Sequence, residues 1–475
     1  MTAPSDHSDP LSLAADFPSI TRDDWRRLVG AVLRKSAVPG TAPAEIDPEL
    51  ALSSTTYDGI RLSPLYTAAD VGSDAGLPGR PPFVRGTAPV ATLGSATLGW
   101  DVRQRHLGTD PAVVNAAVLA DLDNGVSSLW LAVGGPVGIP VERLGAALDG
   151  VYLDLAPIAL DAGACTEPAA QALLDLAARR GAGADLAGTL GADPIGLRAA
   201  SGAPADLPVL GRLAGLLDGR PGLRVATVDA TVYHDAGGSD CDELAIAAAV
   251  GVAYLRALTD AGRSVEDALA RIEFRYAVGA DQFASIAKLR AARRIWDRIA
   301  ELAGAAPASR GQRQHAVTSA AMMTRRDPWV NILRGTIACF AAAVGGAEAI
   351  TVAPFDSAIG LPDDFGRRIA RNTQSILHDE SGLARVLDAA GGSFYVESLT
   401  EQLATVAWGM FTGIERDGGA LAVLDSGALG GRLSASYQRR RSNVATRRDA
   451  ITGVSEFALI TEEPLIRTPM PAVAG

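Results

Sequence analysis

Short apolar runs alternate with longer amphipathic segments from about residue 100 to about residue 399. A short apolar run bounded by glycine or polar residues indicates a buried strand, whereas apolar positions spaced three and four apart indicate a helix. Strands are predicted at 99–103, 128–133, 157–160, 185–190, 224–230, 272–278, 316–324 and 348–353, with 151–155 as an ambiguous addition. Eight strand and helix units favour a (β/α)8 barrel, although an open doubly wound sheet has the same periodicity.

Helices are predicted between these strands and at both ends of the chain. Helical spacing is found at 21–36, 240–258, 280–299, 328–344, 362–380 and 401–412. Asp327 before Pro328 is a favourable helix start, and Gly345 with Gly346 predicts the end of that helix. Residues 417–431 form a glycine-rich passage after the last of these helices.

Residues 37–91 form a long segment of proline, glycine and short polar stretches. Such a segment cannot bury a core of its own and must therefore lie along a larger body. That body is either a partner subunit or the chain's own barrel. Residues 1–18 are polar and are expected to be frayed.

Composition limits the classes of function. With 475 residues the chain exceeds the roughly 250 that one barrel needs. A formal net charge of −11 argues against a general nucleic-acid binder. Three distant cysteines indicate free thiols in a reducing cytoplasm, and neither a secretory leader nor a membrane span is expected. Scattered histidines predict no metal site.

Three long motifs carry a resemblance to a known family. They are AKLRAARRIW at 287–296, RDPWVNILRGTI at 326–337 and FDSAIGLPDDFGRRIARNTQSILHDE at 355–380. In sequence and order they resemble the methylmalonyl-CoA mutase family. The resemblance implies a (β/α)8 barrel over 92–400. It also implies an amino-terminal helix and arm over 1–91 that wraps a partner subunit, because YDGIRLSPLYTAAD at 57–70 and PPFVRG at 81–86 match the family's arm.

The resemblance also implies a helical extension and linker over 401–475. In this family a flavodoxin-like domain that binds adenosylcobalamin ordinarily follows, and its Asp-x-His-x-x-Gly motif is missing from the sequence. The expectation is a chain without that domain, either truncated or naturally lacking it. The arginines at 439–441 and 447–448 are interpreted as a solvated face or subunit rim, with phosphate binding as the alternative.

Several positions depart from the pattern of active family members. In LGWDVRQR at 98–105, Trp100, Arg103 and Gln104 match the family's first-strand motif, but Leu98 replaces an arginine and Arg105 replaces the tyrosine that wedges against the substrate. A guanidinium in a dry pocket needs a carboxylate partner. In TLGAD at 189–193, Gly191 replaces the glutamine that orients the substrate.

Two further motifs follow the same trend. TVYHDAGG at 231–238 keeps Tyr233 and His234, and in an active subunit that histidine would hydrogen-bond the thioester carbonyl. Alone, such a pair also fits a satisfied polar pair of the core. In TVAPFDSA at 351–358, Ala353 and Ser357 replace the asparagine and glutamate that hold the adenosyl group, and Phe355 is expected to fill the vacated space.

These departures predict no catalytic and no cofactor-binding residue in the chain, with Arg103, Tyr233 and His234 as residual contacts to a CoA ester. The pattern fits a non-catalytic, stabilising subunit that pairs with a large catalytic subunit. That partner would bind adenosylcobalamin and interconvert (R)-methylmalonyl-CoA and succinyl-CoA. The alternatives are a self-sufficient mutase for another branched acyl-CoA and a barrel that binds a CoA ester for regulation.

Overall fold

The computed structural model of the protein describes residues 17–18, 20–36, 47–72, 74–87 and 99–470. The chain divides into two compact units, residues 1–67 and residues 68–475. The predictions made for residues 1–16, for residues 37–46, for Leu98 and for the last five residues of the linker lie outside the described residues.

The first unit contains two helices and a short antiparallel hairpin. Its elements are α1 (Arg22–Ser36), α2 (Pro48–Leu52), β1 (Ser54–Thr55) and β2 (Arg61–Leu62). Helix α1 confirms the predicted amphipathic helix, with acidic side chains in its first turn and basic ones in its last. Arg22 Nε lies 2.7 Å from Glu49 Oε1, so an ion pair joins the two helices.

The second unit is built on a closed barrel of eight parallel strands. The strands are β3 (Asp101–His106), β4 (Ser128–Ala132), β5 (Ile158–Asp161), β6 (Gly188–Ala192), β7 (Leu223–Asp229), β8 (Ile272–Val278), β9 (Gln314–Thr318) and β10 (Ala349–Thr351). Neighbouring strands pair in chain order, and β10 closes the barrel on β3 through Ala349 opposite Asp101. The barrel prediction is confirmed, and the open sheet is excluded because no edge strand is left.

Helices cover the outside of the barrel and continue beyond it. They are α3 (Pro111–Leu122), α4 (Leu144–Ala147), α5 (Thr166–Arg179), α6 (Pro194–Ser201), α7 (Pro208–Gly215), α8 (Thr231–Asp235), α9 (Asp240–Asp260), α10 (Val265–Ala270), α11 (Gln282–Leu302), α12 (Val330–Val344), α13 (Asp364–Ser375), α14 (Phe394–Arg416), α15 (Ala420–Asp425) and α16 (Ala428–Ala445). Helix α9 begins at a capping box between Ser239 and Asp242. No helix among the described residues is both long and apolar enough to cross a bilayer.

Two local predictions were wrong. The strand predicted at 316–324 ends at Thr318, and a single 3-10 turn, Ala320–Met322, follows it. Residues 151–155 form a turn rather than a strand. The glycine-rich passage at 417–431 contains α15 and the start of α16, because its glycines lie at helix boundaries and its alanine and leucine residues favour helix.

The PPFVRG motif of the predicted arm packs on the chain's own barrel. The side chains of Phe83 and Val84 are buried, and their carbonyl oxygens accept hydrogen bonds from Arg293 on α11 at 2.9 Å and 3.0 Å. Arg85 Nε lies 2.8 Å from Asp388 Oδ2. This part of the arm therefore lies on the chain's own barrel, as the alternative interpretation predicts.

Charged side chains are buried near the amino end of the barrel strands. Arg103 Nη1 lies 2.9 Å from Glu273 Oε1, and both side chains are only 1% exposed. Arg313 approaches the other oxygen of Glu273 at 3.6 Å. Burial alone would raise the pKa of Glu273, but the charges of Arg103, Arg313 and further arginines outweigh it and lower that pKa to about 2. The barrel core is therefore held partly by ion pairs.

Candidate functional site

A cavity of about 500 Å³ opens at the carboxyl end of the barrel strands. This is the end at which barrels of this architecture place their chemistry. Its polar wall includes Gln104, Arg105, Ser319 and Ser357, and the rest is largely apolar. Because β3, β9 and β10 are neighbours in the barrel, three segments far apart in sequence meet here.

Arg105 is fixed to the wall of this cavity. Its Nη2 lies 2.8 Å from Asp161 Oδ2, and its guanidinium carbon lies 4.3 Å from the centre of the Trp130 ring. A second guanidinium, that of Arg275, lies 4.0 Å from the same ring centre and is paired with Asp229 at 2.6 Å. The expected carboxylate partner of Arg105 is present, so a charged group is anchored where the resemblance places the substrate tyrosine.

His234 lies behind the cavity wall, on α8. Its Nε2 is 2.7 Å from the hydroxyl oxygen of Ser319, which lines the cavity. Its Nδ1 lies 3.3 Å from Glu243 Oε2. The same carboxylate accepts hydrogen bonds from Lys288 Nζ at 2.6 Å and from the Ala277 amide at 2.7 Å. The histidine contacts the cavity wall through Ser319, and its Nδ1 lies near the buried Glu243 and Lys288 without a hydrogen bond to them.

The other residues predicted as residual CoA-ester contacts are buried away from this cavity wall. Arg103 is occupied by Glu273 and by the hydroxyl of Ser128 at 3.2 Å. Tyr233 is only 2% exposed. Its burial, together with nearby carboxylates, raises the pKa of its hydroxyl, which stays neutral at physiological pH. Both positions are explained by packing and ion pairing.

Gly191 lies apart from the other predicted site positions. It lines a second cavity of about 390 Å³ between β5, β6 and β7. Its φ of +70° belongs to the left-handed region, and an added Cβ would lie 1.9 Å from the carbonyl oxygen of Leu160. A glutamine could not occupy this position without a shift of the backbone. The loss of that side chain is thus built into the local fold.

Ala353 and Ser357 do line the first cavity, together with Arg105. Phe355 does not fill the space between them, so this expectation is wrong. Its buried ring stacks on Trp329, with ring centres 4.7 Å apart, and meets the edge of Phe365. The aromatic side chain packs outward into the helices because α12 and α13 offer it ring contacts.

Comparison with known proteins identifies the family to which this barrel belongs. A family model described as methylmalonyl-CoA mutase matches residues 55–142 and 133–470. The chain belongs to the methylmalonyl-CoA mutase family. It is 56% identical over 471 residues to a methylmalonyl-CoA mutase small subunit of Streptomyces virginiae, covering 98% of this chain and 74% of that one.

Two other relatives carry related names. A probable methylmalonyl-CoA mutase small subunit of Mycobacterium bovis is 45% identical over 461 residues, covering 95% of this chain and 73% of the relative. The methylmalonyl-CoA mutase small subunit of Propionibacterium freudenreichii subsp. shermanii is 42% identical over 482 residues, covering 99% and 74%. The similarity thus extends over the arm, the barrel and the helices beyond it.

The cavity does not fit the adenosyl group in the way the family pattern implies. At the two positions where that pattern has an asparagine and a glutamate, the wall presents the methyl group of Ala353 and the short hydroxyl of Ser357. The Ala353 backbone amide is already used, since it donates to Thr318 Oγ1 at 2.7 Å. Among the described residues no group of histidine, cysteine or acidic side chains could hold a metal ion.

Sequence reasoning missed the residues that shape this end of the barrel. Trp130 lies in the middle of β4, Asp161 is the last residue of β5, and Ser319 follows β9 directly. Polar residues at such strand ends are a recognisable signal. Their mutual contacts depend on the closure of the barrel, which brings β3 and β5 to opposite sides of β4.

His106, at the end of β3, makes stability depend on pH. Its burial, with a smaller contribution from the charge of Arg367, lowers the pKa of His106 to about 3. An unfolded histidine titrates near 6.5, so between pH 6.5 and 3 the unfolded chain binds a proton that the folded chain excludes. We expect the stability to fall with decreasing pH over this window, by at most about 1.4 kcal/mol per pH unit for this one proton.

The measurement is urea unfolding of the wild type and of His106→Gln from pH 8 to pH 4. In the variant the free energy of unfolding should fall less steeply with decreasing pH. The difference in this free energy between the two proteins should stay constant above pH 7. Equal slopes for both proteins would contradict the assignment of a buried, neutral His106.

Proposed function

We propose that this chain is the non-catalytic small subunit of a two-chain methylmalonyl-CoA mutase. Its partner is a large subunit of the same family that binds adenosylcobalamin and interconverts (R)-methylmalonyl-CoA and succinyl-CoA. The names of relatives that match nearly the whole chain support the subunit role. None of the three cysteines forms a disulfide, which suits a reducing cytoplasm.

The observation that carries this proposal is the state of Arg105. In an active member of this family the resemblance places a tyrosine against the substrate, in a pocket that excludes water. Here the corresponding wall holds a guanidinium tied to Asp161 and stacked on Trp130. Gly191 faces another cavity, and Ala353 offers no hydrogen-bonding side chain. No single substitution would restore all the missing contacts to substrate and cofactor, so the barrel serves the complex as a scaffold.

The alternatives receive less support from the same geometry. A self-sufficient mutase for another acyl group would keep the contacts to the cofactor, and these are the ones replaced at Ala353 and Ser357. A regulatory CoA-ester site would use Arg103 and His234. Arg103 is bound to Glu273, and His234 is bound to Ser319.

The first unit supplies part of the surface that we assign to the partner. On α1, Leu28 and Val32 are spaced four residues apart and share one helix face, and 55% and 63% of these two residues are exposed. Exposed aliphatic side chains on an amino-terminal arm suit burial against another chain. In this proposal the part of segment 1–91 that precedes PPFVRG acts as the subunit-binding arm, PPFVRG itself lies on the chain's own barrel, and 401–475 is a helical extension and linker.

Two negative charges introduced on this helix face test the association. The double variant Leu28→Glu/Val32→Glu should weaken binding to the large subunit by about 100-fold, because two carboxylates would be buried without partners. Sedimentation velocity on mixtures with a purified large subunit measures the affinity. The matched control is Arg27→Ala on the same helix, which removes a charged side chain from α1 and should leave the affinity unchanged.

Unchanged affinity of the double variant would remove α1 from the interface. A 1:1 complex with the wild type is expected in the same experiment, and its absence at micromolar concentrations would contradict the proposed partner.

A further inference from the structure

Ser319 and His234 form a contact that a scaffold does not require. The Ser319 hydroxyl lies on the wall of the 500 Å³ cavity, 2.7 Å from His234 Nε2. A serine hydroxyl within hydrogen-bond reach of an imidazole is the arrangement that activates a serine nucleophile. The cavity that Ser319 lines is large enough for a small acyl compound.

The far side of the imidazole faces an oriented carboxylate. His234 Nδ1 lies 3.3 Å from Glu243 Oε2, and Glu243 is fully buried. Lys288 and the Ala277 amide hold the carboxylate in place, and Asp240 pairs with the same lysine at 3.0 Å. His234 Nδ1 makes no hydrogen bond to Glu243 in this structure, and with the proton on Nδ1 the other ring nitrogen, Nε2, is free to accept the serine proton. Catalytic hydrogen bonds are often long without substrate and tighten when it binds.

A donor for a developing oxyanion is present in the same cavity. Gln104 lines the wall and is 1% exposed, and neither atom of its amide has a hydrogen-bond partner among the described residues. Leaving a buried amide unpaired costs free energy, so the group is suited to a ligand that supplies both a donor and an acceptor. Its N–H can stabilise negative charge on a carbonyl oxygen.

From these contacts we infer that Ser319, His234 and Glu243 act as nucleophile, base and orienting acid in the hydrolysis of short-chain acyl esters or thioesters. The acyl group is short because the cavity has a volume of only about 500 Å³ and is lined by apolar side chains such as Val317 and Val352. This activity is separate from the mutase reaction and needs no cobalamin. It is compatible with a subunit that takes no part in the rearrangement.

The reaction balances with water as the second substrate. Ser319 Oγ attacks the acyl carbon and forms an ester bond, while its proton moves to His234 Nε2. The bond from the acyl carbon to sulfur then breaks, and the leaving thiolate takes that proton. Water attacks the acyl serine, gives one proton to His234 and releases the carboxylic acid, and the proton returns to Ser319. The sum is thioester plus water to acid plus thiol.

The test uses the full chain without cobalamin and two independent readouts. The first is thiol release from S-butanoyl-N-acetylcysteamine, corrected for the thiols of the protein. The second is covalent labelling by a fluorophosphonate, located by peptide mass spectrometry. Wild type should hydrolyse the thioester and carry the label on Ser319. Ser319→Ala and His234→Gln should each lose about 100-fold or more in kcat/KM.

The matched control is Ser201→Ala, which removes an exposed hydroxyl that donates to Leu197 O at 2.6 Å on α6. It should keep full activity and full labelling. Absence of hydrolysis by the wild type, labelling at another serine, or activity retained in Ser319→Ala would each overturn the inference. None of these results bears on binding to the large subunit, so the two proposals fail separately.

Discussion

Glu273→Gln should destabilise the barrel by about 3 to 5 kcal/mol. The carboxylate is fully buried and compensates Arg103, whose side chain is 1% exposed, and Arg313. The amide has nearly the same shape but no charge, so these guanidiniums would remain in the core without their main partner. Asp101 lies 3.4 Å from Arg313 and partly compensates its charge. We therefore expect a loss of stability nearer to about 3 than to about 5 kcal/mol. Urea unfolding at pH 7 measures the change.

The matched control breaks an ion pair on the surface. Arg212 pairs with Glu167 at 2.9 Å, and both side chains are about half exposed. Arg212→Ala should leave the unfolding midpoint unchanged, because solvent replaces an exposed partner at little cost. If Glu273→Gln behaved like this control, the buried cluster would not contribute to stability.

The barrel could be predicted because it follows from local patterns. Each of the eight predicted strands overlaps an observed one, since parallel strands buried on both faces give continuous apolar runs. The failures have local causes as well. Residues 319–322 are as apolar as the strand before them, but Ser319 begins a 3-10 turn.

The sequence identifies individual positions of the candidate site but not how they are arranged in space. The sequence marks Arg105, Ala353 and Ser357 as departures from the family pattern, and these three share a cavity. It cannot show that Gly191 faces a different cavity, because that depends on a left-handed φ of +70°. Nor can it show Trp130 beneath two guanidiniums, which requires β3, β4 and β8 to be placed in space.

The largest expected effect concerns mutase turnover. The chain alone should show no conversion of methylmalonyl-CoA to succinyl-CoA with saturating adenosylcobalamin. At this end of its barrel Arg105 is anchored on Asp161 and Trp130. Ala353 stands where the resemblance implies the asparagine that holds the adenosyl group. Stabilisation of a partner requires an interface and no intact pocket, so a mixture with the large subunit should be active.

The decisive measurement is therefore the turnover rate of the purified chain alone, of the large subunit alone and of their mixture, with cofactor and substrate at saturating concentrations. The proposed role predicts no rate above background for this chain alone. It also predicts that the mixture is faster than the large subunit alone or retains its activity longer. Turnover by this chain alone would contradict that role, and so would a mixture indistinguishable from the large subunit.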